Sequence, residues 1–185
     1  MQGRIFTVPN QITLLRLGFL PLFLVSIAYD HYRWALLILV VAGLSDGVDG
    51  LLARSLNQSS SLGAYLDPIA DKLLLSSSFV ILAFKHQIDL WLMIFVLSRD
   101  VTILVVAVVI LLMFGYRPFP PSIFGKLNTF FQIVMVFSVL LRAAYPQARL
   151  GLINHILMYT VATLTVVSAL HYSFTVARNL STSEK

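Results

Sequence analysis

Six long apolar stretches occupy most of the chain and constrain its fold more than any other feature. A helix needs about 20 residues to cross the roughly 30 Å hydrocarbon core of a bilayer, and each stretch is long enough to do so. The stretches cover residues 11–29, 34–53, 63–84, 90–114, 127–145 and 152–177. Because the connections are short, we predict an all-α integral membrane protein whose six transmembrane helices form one bundle.

The composition agrees with a membrane-embedded chain. Hydrophobic residues make up 58% of the 185 positions and charged residues only 11%, which is more apolar than an ordinary soluble domain. No second domain fits, so residues 1–185 are predicted to form a single membrane domain. Cysteine is absent, and any metal must therefore be held by oxygen or imidazole. A net charge of +5 suits anionic lipids or phosphate substrates, whereas the scattered basic residues predict no nucleic-acid partner.

The first stretch begins with a mixed segment, TVPNQITLLRLGFLPLF. Apolar residues recur there at helical spacing, and Arg16 interrupts them. We expect an N-terminal interfacial amphipathic segment that turns into the membrane near Pro21. A plain signal-anchor helix with a snorkelling arginine is the alternative. Since no small-residue cleavage site follows a short apolar run, the segment is expected to stay in the mature protein.

The distribution of basic residues predicts the topology. An even number of spans puts both termini on one side of the membrane, and six basic residues lie on that side against four opposite. By the positive-inside bias, both termini and the connections on their side are expected in the cytoplasm. The six are Arg4, Arg54, Arg117, Lys126, Arg178 and Lys185, and the four are Arg33, Lys85, Arg142 and Arg149.

Four aspartates interrupt the second and third stretches near the connection that joins them. Asp46 and Asp49 are three residues apart, Asp67 and Asp71 are four apart, and both spacings lie on one face of a helix. A short connection makes the two helices antiparallel, so the four carboxylates are expected to converge on the cytoplasmic side. Like charges in a low dielectric repel one another unless cations neutralise them. Oxygen ligands favour one or two hard divalent ions such as magnesium, manganese or calcium.

Small and basic residues accompany the aspartates. Gly50 and Ala53 share a helical face with the first pair, and Gly63 and Arg54 lie nearby. Small residues let a ligand approach the backbone closely, and arginine can bind phosphate or pair with the carboxylates. The pattern therefore predicts a divalent-metal site for a phosphorylated substrate, with phosphoryl transfer as the chemistry. The alternatives are a small cation transporter, a catalytically silent scaffold and a purely structural carboxylate network.

The same residues resemble the signature of a known family, the CDP-alcohol phosphatidyltransferases, at every position of its motif. The resemblance implies a six-helix fold, usually a homodimer, with a cavity that faces the cytoplasm. It implies that Asp46, Asp49, Asp67 and Asp71 hold two divalent cations, magnesium or manganese, and that Asp71 is also the general base. The implied reaction moves a phosphatidyl group from CDP-diacylglycerol to an acceptor alcohol and releases CMP. The residues implied to line the CDP site are Gly50, Ala53, Arg54 and Gly63.

Residues beyond the signature bear on the acceptor. Arg99, Arg117 and Lys126 are predicted to bind a phosphate that the acceptor carries. The alternatives are an ion pair of Arg99 with Asp100 or another acid, and plain loop positions for the other two. The blocks VPNQITLLR, LDPIADKLL and GKLNTFFQ resemble the glycerol-acceptor branch of the family. Within that branch, LSRDV together with AGLSDGVDGLLAR looks closer to the cardiolipin synthases. This resemblance favours phosphatidylglycerol as acceptor, with glycerol 3-phosphate, as in phosphatidylglycerophosphate synthases, as the alternative.

Overall fold

The computed structural model describes the backbone of residues 8–56, 61–114 and 123–181. Within those ranges, it describes the side chains of residues 17–44, 70–106, 108–109, 112 and 123–175. The described backbone forms six α-helices and one short 3-10 helix, Pro146–Ala148, without a strand. The helices are α1 (Val8–Ala28), α2 (Tyr32–Leu56), α3 (Ser61–Phe84), α4 (Leu90–Phe114), α5 (Ile123–Ala144) and α6 (Gly151–Ser181). The predicted all-helical class is therefore confirmed for this part of the chain.

Each helix coincides with one of the six predicted stretches to within a few residues at either end. Helix α1 continues as one helix through Pro21, although proline supplies no backbone N–H. Apolar residues are spread around α1 rather than gathered on one face. The helix therefore does not end at Pro21, where we expected the chain to turn into the membrane. The interfacial placement of the first half of α1 stays a prediction.

Two helices are long and apolar enough to cross a membrane, among the residues that the structure describes. They are Ile123–Ala144, which is α5, and Gly151–Thr175 within α6. Shorter apolar helical segments occur at Leu17–Ala28 and Tyr32–Leu44. Length and composition thus support a membrane location for part of the chain, whereas the six-span arrangement stays a prediction.

The chain divides into two compact units. Unit 1 comprises Met1–Gln87 and Val139–Arg149, and unit 2 comprises Ile88–Ser138 and Leu150–Lys185. In unit 1, α1 packs against both α2 and α3. The buried side chains recur at spacings of three, four or seven, so each helix presents one apolar face to the core. They include Phe23 and Ile27 of α1, Ala35 and Ala42 of α2, and Leu75, Phe79 and Leu82 of α3.

Helices α1 and α3 end in the same left-handed closure. Asp30 has a φ angle of 62° and His86 one of 54°. In each turn the amide of the following residue donates to the carbonyl five residues earlier, at 2.7 Å after α1 and 2.9 Å after α3. This Schellman arrangement satisfies carbonyls that a helix end leaves open, here with aspartate and histidine where glycine is usual. Both helices therefore end at a defined residue.

An ion pair joins the end of α3 to the turn after α1. Lys85 Nζ lies 2.7 Å from Asp30 Oδ1, and the Tyr32 hydroxyl donates to the same oxygen at 2.7 Å. These hydrogen bonds, first that of Lys85 and then that of Tyr32, hold the pKa of Asp30 below its ordinary value of 3.8. Burial and the neighbouring Asp30 raise the pKa of Tyr32 to about 12. One carboxylate thus connects the ends of three helices.

Replacement of Asp30 by asparagine is expected to lower the thermal unfolding midpoint by an amount that depends on pH. Because folding lowers the pKa of Asp30, the carboxylate stabilises the fold above its ordinary value of 3.8. That contribution is lost as the pH falls through the lowered folded-state value. The difference in midpoint between the parent protein and Asp30→Asn, measured in detergent from neutral pH to about pH 3, should shrink at the acidic end.

A double-mutant cycle with Lys85→Gln provides the control. In the Lys85→Gln background, Asp30→Asn should have a smaller effect, because the ion-pair partner is gone. A midpoint difference that stayed constant across the whole pH range would contradict this role of the ion pair.

In unit 2, α4 packs against α6, and two hydrogen bonds between buried side chains join α5 to α6. The Thr165 hydroxyl donates to Asn128 Oδ1 at 3.1 Å, and the Ser138 hydroxyl donates to Asn154 Oδ1 at 2.5 Å. The first bond pairs residue 128 with residue 165, and the second pairs residue 138 with residue 154. The two helices therefore run antiparallel. Buried apolar side chains complete the core, among them Leu92, Val96, Met135, Val136, Leu157 and Val161.

Candidate active site

The signature residues lie on two helices of unit 1. The second half of α2 carries Asp46, Asp49, Gly50, Ala53 and Arg54, and the first half of α3 carries Gly63, Asp67 and Asp71. The backbone is helical at every one of these positions. The spacings of three and four therefore place each aspartate pair on one helical face. The helical setting predicted for the signature is confirmed, and the roles of the residues stay predictions.

Of these signature side chains, the structure describes that of Asp71 alone. Asp71 is exposed, whereas Ala70 before it and Leu75 one turn later are buried. Asp71 therefore lies at the edge of the buried face of α3. The predicted convergence of the four carboxylates lies outside the described side chains.

The donor set fits a hard divalent cation. Four carboxylates on two helical faces supply only oxygen ligands, the type that magnesium and manganese prefer. Within the described side chains, no three histidine or acidic residues form a group that could hold a metal. Asp46, Asp49 and Asp67 are not among those side chains, so this finding leaves the predicted ligand set untested.

A family model for the CDP-alcohol phosphatidyltransferases matches residues 6–167, a range that includes every signature position. The chain belongs to the CDP-alcohol phosphatidyltransferase family. This finding confirms the family predicted from the motif. Membership favours the transferase interpretation over those of a small cation transporter or a silent scaffold.

Named relatives within the family fall into two groups. A cardiolipin synthase (CMP-forming) of Streptomyces coelicolor is 41% identical over 144 residues, which are 75% of this chain and 66% of that protein. A putative cardiolipin synthase of Mycobacterium tuberculosis is 35% identical over 146 residues, or 78% of this chain and 69% of that protein. The CDP-diacylglycerol–glycerol-3-phosphate 3-phosphatidyltransferase of Aquifex aeolicus is 32% identical over 168 residues, or 90% of this chain and 93% of that protein. The match thus spans just under two thirds of the Streptomyces protein.

Arg99, predicted to bind the acceptor phosphate, takes part in a buried network of unit 2. Its Nη1 donates to Asp100 Oδ1 at 3.0 Å, and these two side chains are only 10% and 8% exposed. Its Nη2 donates to the Ser168 hydroxyl on α6 at 2.7 Å. The alternative interpretation, an ion pair with Asp100, is therefore observed. The Nε–H of Arg99 has no hydrogen-bond partner among the described residues, so binding of an acceptor oxygen stays a prediction.

Sequence reasoning missed the polar residues of α5 that are buried in the same unit. Asn128 and Gln132 are one helical turn apart, and both are fully buried. The side-chain amide oxygen and nitrogen of Gln132 have no hydrogen-bond partner among the described residues. The same is true of the side-chain amide nitrogen of Asn128. Their spacing of four within an apolar stretch was the available signal, since intramembrane polar residues usually face other protein groups.

The structure says less about Lys126 and Arg117, the other two residues predicted to bind the acceptor phosphate. Lys126 lies in the first turn of α5 and is exposed, so it is accessible to an anionic ligand. Arg117 lies outside the described residues. For both residues, phosphate binding therefore stays a prediction.

Replacement of Ser168 by alanine is expected to destabilise unit 2. It leaves the buried Arg99 Nη2 without its partner on α6, which should reduce the free energy of unfolding by about 1–3 kcal/mol. Ser173→Ala is the matched control on the same helix, because Ser173 is exposed and its hydroxyl donates to Ala169 O within α6. Thermal unfolding of both variants in detergent measures the difference. Equal losses in the two variants would show that the Arg99–Ser168 contact adds no stability.

Proposed function

We propose that this protein transfers the phosphatidyl group of CDP-diacylglycerol to a glycerol-based acceptor that carries a phosphate, with release of CMP. The observation that carries the proposal is the complete family signature on the helical backbone of α2 and α3 within unit 1. The family match over residues 6–167 supports the same reaction class. The chemistry common to the family needs little beyond a cation site, a base and a positioned acceptor.

In the proposed mechanism, Asp46, Asp49, Asp67 and Asp71 would hold two divalent cations, magnesium or manganese, whose positive charge would offset that of the pyrophosphate. Gly50, Ala53 and Gly63 leave room for the nucleotide close to the backbone, and Arg54 pairs with its phosphate. Asp71 accepts the proton of the acceptor hydroxyl, a role that the exposure of this residue supports. The hydroxyl oxygen then bonds to the phosphorus that carries diacylglycerol, and the bond from that phosphorus to the CMP oxygen breaks.

Phosphatidylglycerol is the proposed acceptor, which makes the product cardiolipin. The 41% identity to a cardiolipin synthase supports this choice. Glycerol 3-phosphate is the second candidate, because a relative named for that acceptor matches 90% of this chain. Both acceptors carry a phosphate, for which Arg99, Arg117 and Lys126 are the proposed ligands.

The proposed setting is a membrane, with six spans, a homodimer, and the signature facing the cytoplasm. The apolar length of α5 and α6 supports the membrane location. Large apolar side chains of several helices are exposed, among them Leu44, Leu112 and Phe174, and lipid tails would cover such surfaces. The positive-inside count supports the orientation, and the family resemblance supports the dimer.

A competition assay with both acceptors tests the proposal. The purified protein in detergent receives CDP-diacylglycerol, magnesium or manganese, and equal amounts of phosphatidylglycerol and glycerol 3-phosphate. CMP release and the mass of the lipid product are measured. We expect cardiolipin as the main product. Phosphatidylglycerophosphate as the main product would show that glycerol 3-phosphate is the acceptor. No release of CMP with either acceptor would contradict the proposed reaction.

Asp71→Asn is expected to lower CMP release by at least about 100-fold, because the variant cannot accept the proton of the acceptor hydroxyl. Binding of CDP-diacylglycerol, measured separately by calorimetry, should weaken far less. Asp30→Asn is the matched control, since it removes an exposed aspartate of the same unit outside the signature. At an assay temperature below its unfolding midpoint, it should retain parental turnover. Substantial turnover in Asp71→Asn would remove Asp71 from the role of base.

A further inference from the structure

A basic surface lies away from the signature, at one end of unit 1. We call this region the loop end of unit 1 and define it as residues 28–34, 85–87 and 142–149. The last turn of α5 is held there by Arg142, whose Nη2 donates to Gln87 O at 3.2 Å. From Arg33 to Asp46, α2 rises about 20 Å. The loop end is therefore a separate surface from the proposed catalytic site.

Arginines dominate the charge of the loop end. Lys85 is paired with Asp30, which leaves the guanidinium groups of Arg33, Arg142 and Arg149. Arg33 and Arg149 are exposed, and neither has a carboxylate within ion-pair distance among the residues that the structure describes. Arginine binds phosphate through several N–H donors at once. The loop end thus presents two exposed cations suited to a phosphate group.

Tyr145 contacts Arg33 and lies four residues before Arg149. The guanidinium carbon of Arg33 lies 5.2 Å from the centre of the Tyr145 ring, a cation–π contact. The 3-10 helix after Tyr145 is closed by the Ala148 N–H, which donates to Tyr145 O at 3.0 Å. Arg149 follows directly, with a φ angle of 44°. The ring contact restrains Arg33, while the in-plane N–H groups of its guanidinium remain able to donate to a ligand.

An exposed apolar stripe of α2 begins beside Arg33. Trp34, Leu37, Val41 and Leu44 recur at spacings of three and four, and they are 64%, 54%, 44% and 66% exposed. From Trp34 to Leu44 the helix rises about 15 Å, which is half of the roughly 30 Å hydrocarbon core. A phospholipid has the same layout, with a charged phosphate at one end and acyl chains about one leaflet long.

We propose that the loop end of unit 1 binds one anionic glycerophospholipid. Its phosphate contacts Arg33 and Arg149, and an acyl chain lies along the stripe from Trp34 to Leu44. The positive charge selects an anionic lipid over a zwitterionic one. The exposed Tyr29 and Trp34 suit the head-group level of a membrane. The proposal rests on the membrane location but not on the transfer reaction, so it is tested without turnover.

The two tryptophans of the chain, Trp34 and Trp91, provide the experiment. In a Trp91→Phe protein, Trp34 is the sole tryptophan and lies on the proposed stripe. This protein is reconstituted in phosphatidylcholine vesicles that contain increasing fractions of brominated phosphatidylserine or brominated phosphatidylcholine. Phosphatidylserine is anionic and is neither the proposed donor nor the proposed acceptor. We expect it to quench Trp34 at a lower mole fraction, with a preference of about fivefold for each contributing arginine.

Arginine variants in the same background identify the ligand groups. Arg33→Gln combined with Arg149→Gln should abolish the preference, whereas the corresponding double lysine variant should retain most of it. Arg149→Gln alone leaves the Arg33–Tyr145 contact in place and should reduce the preference about fivefold, so the test does not depend on the folding of the double variant. A Trp34→Phe protein, which reports from Trp91 in unit 2, should respond equally with and without the arginines. Equal quenching of Trp34 by both lipids, or a preference that survives both glutamine substitutions, would overturn the proposal.

Discussion

Backbone hydrogen bonding within each helix is the constraint on which this structure depends. In hydrocarbon no water is available to peptide groups, so a spanning segment must satisfy them internally. Hydroxyl groups follow the same rule, since those of Ser26, Thr102 and Thr160 donate to carbonyls of their own helices. Polar groups that bond to another helix are therefore exceptions that carry information. Among the described residues, the Arg99–Ser168 contact between α4 and α6 is such an exception.

The sequence predicted the helices better than it predicted the contacts between them. The six helices followed from apolar length, because the thickness of a bilayer fixes the length of a span. The paired spacing of the aspartates followed from helical periodicity in the same way. The sequence offered Asp100 or another acid as an alternative partner of Arg99, but Ser168 lies 69 residues further along the chain. No local pattern indicates a contact of that range. The burial of Gln132 was missed for the same reason, since it depends on how α5 packs within its unit.

The signature and the described residues proposed for the acceptor belong to different units. The signature belongs to unit 1, and Arg99 and Lys126 belong to unit 2. The residues proposed for the transfer chemistry are thus encoded in one stretch of sequence, and the residues proposed for the acceptor are encoded in another. A relative named cardiolipin synthase and a relative named for glycerol 3-phosphate each match most of this chain.

The left-handed closure at Asp30 has a consequence for the rotational phase of α2. Because the closure uses one defined amide and one defined carbonyl, the chain leaves α1 at a fixed residue. One residue added to the connection between α1 and α2 would rotate α2 by about 100°. The buried Ala35 and Ala42 would then turn away from the core, and the helical face of Asp46 and Asp49 would turn with them. The length of one short turn thus sets the angular position of residues 46 and 49 around the axis of α2, several helical turns away.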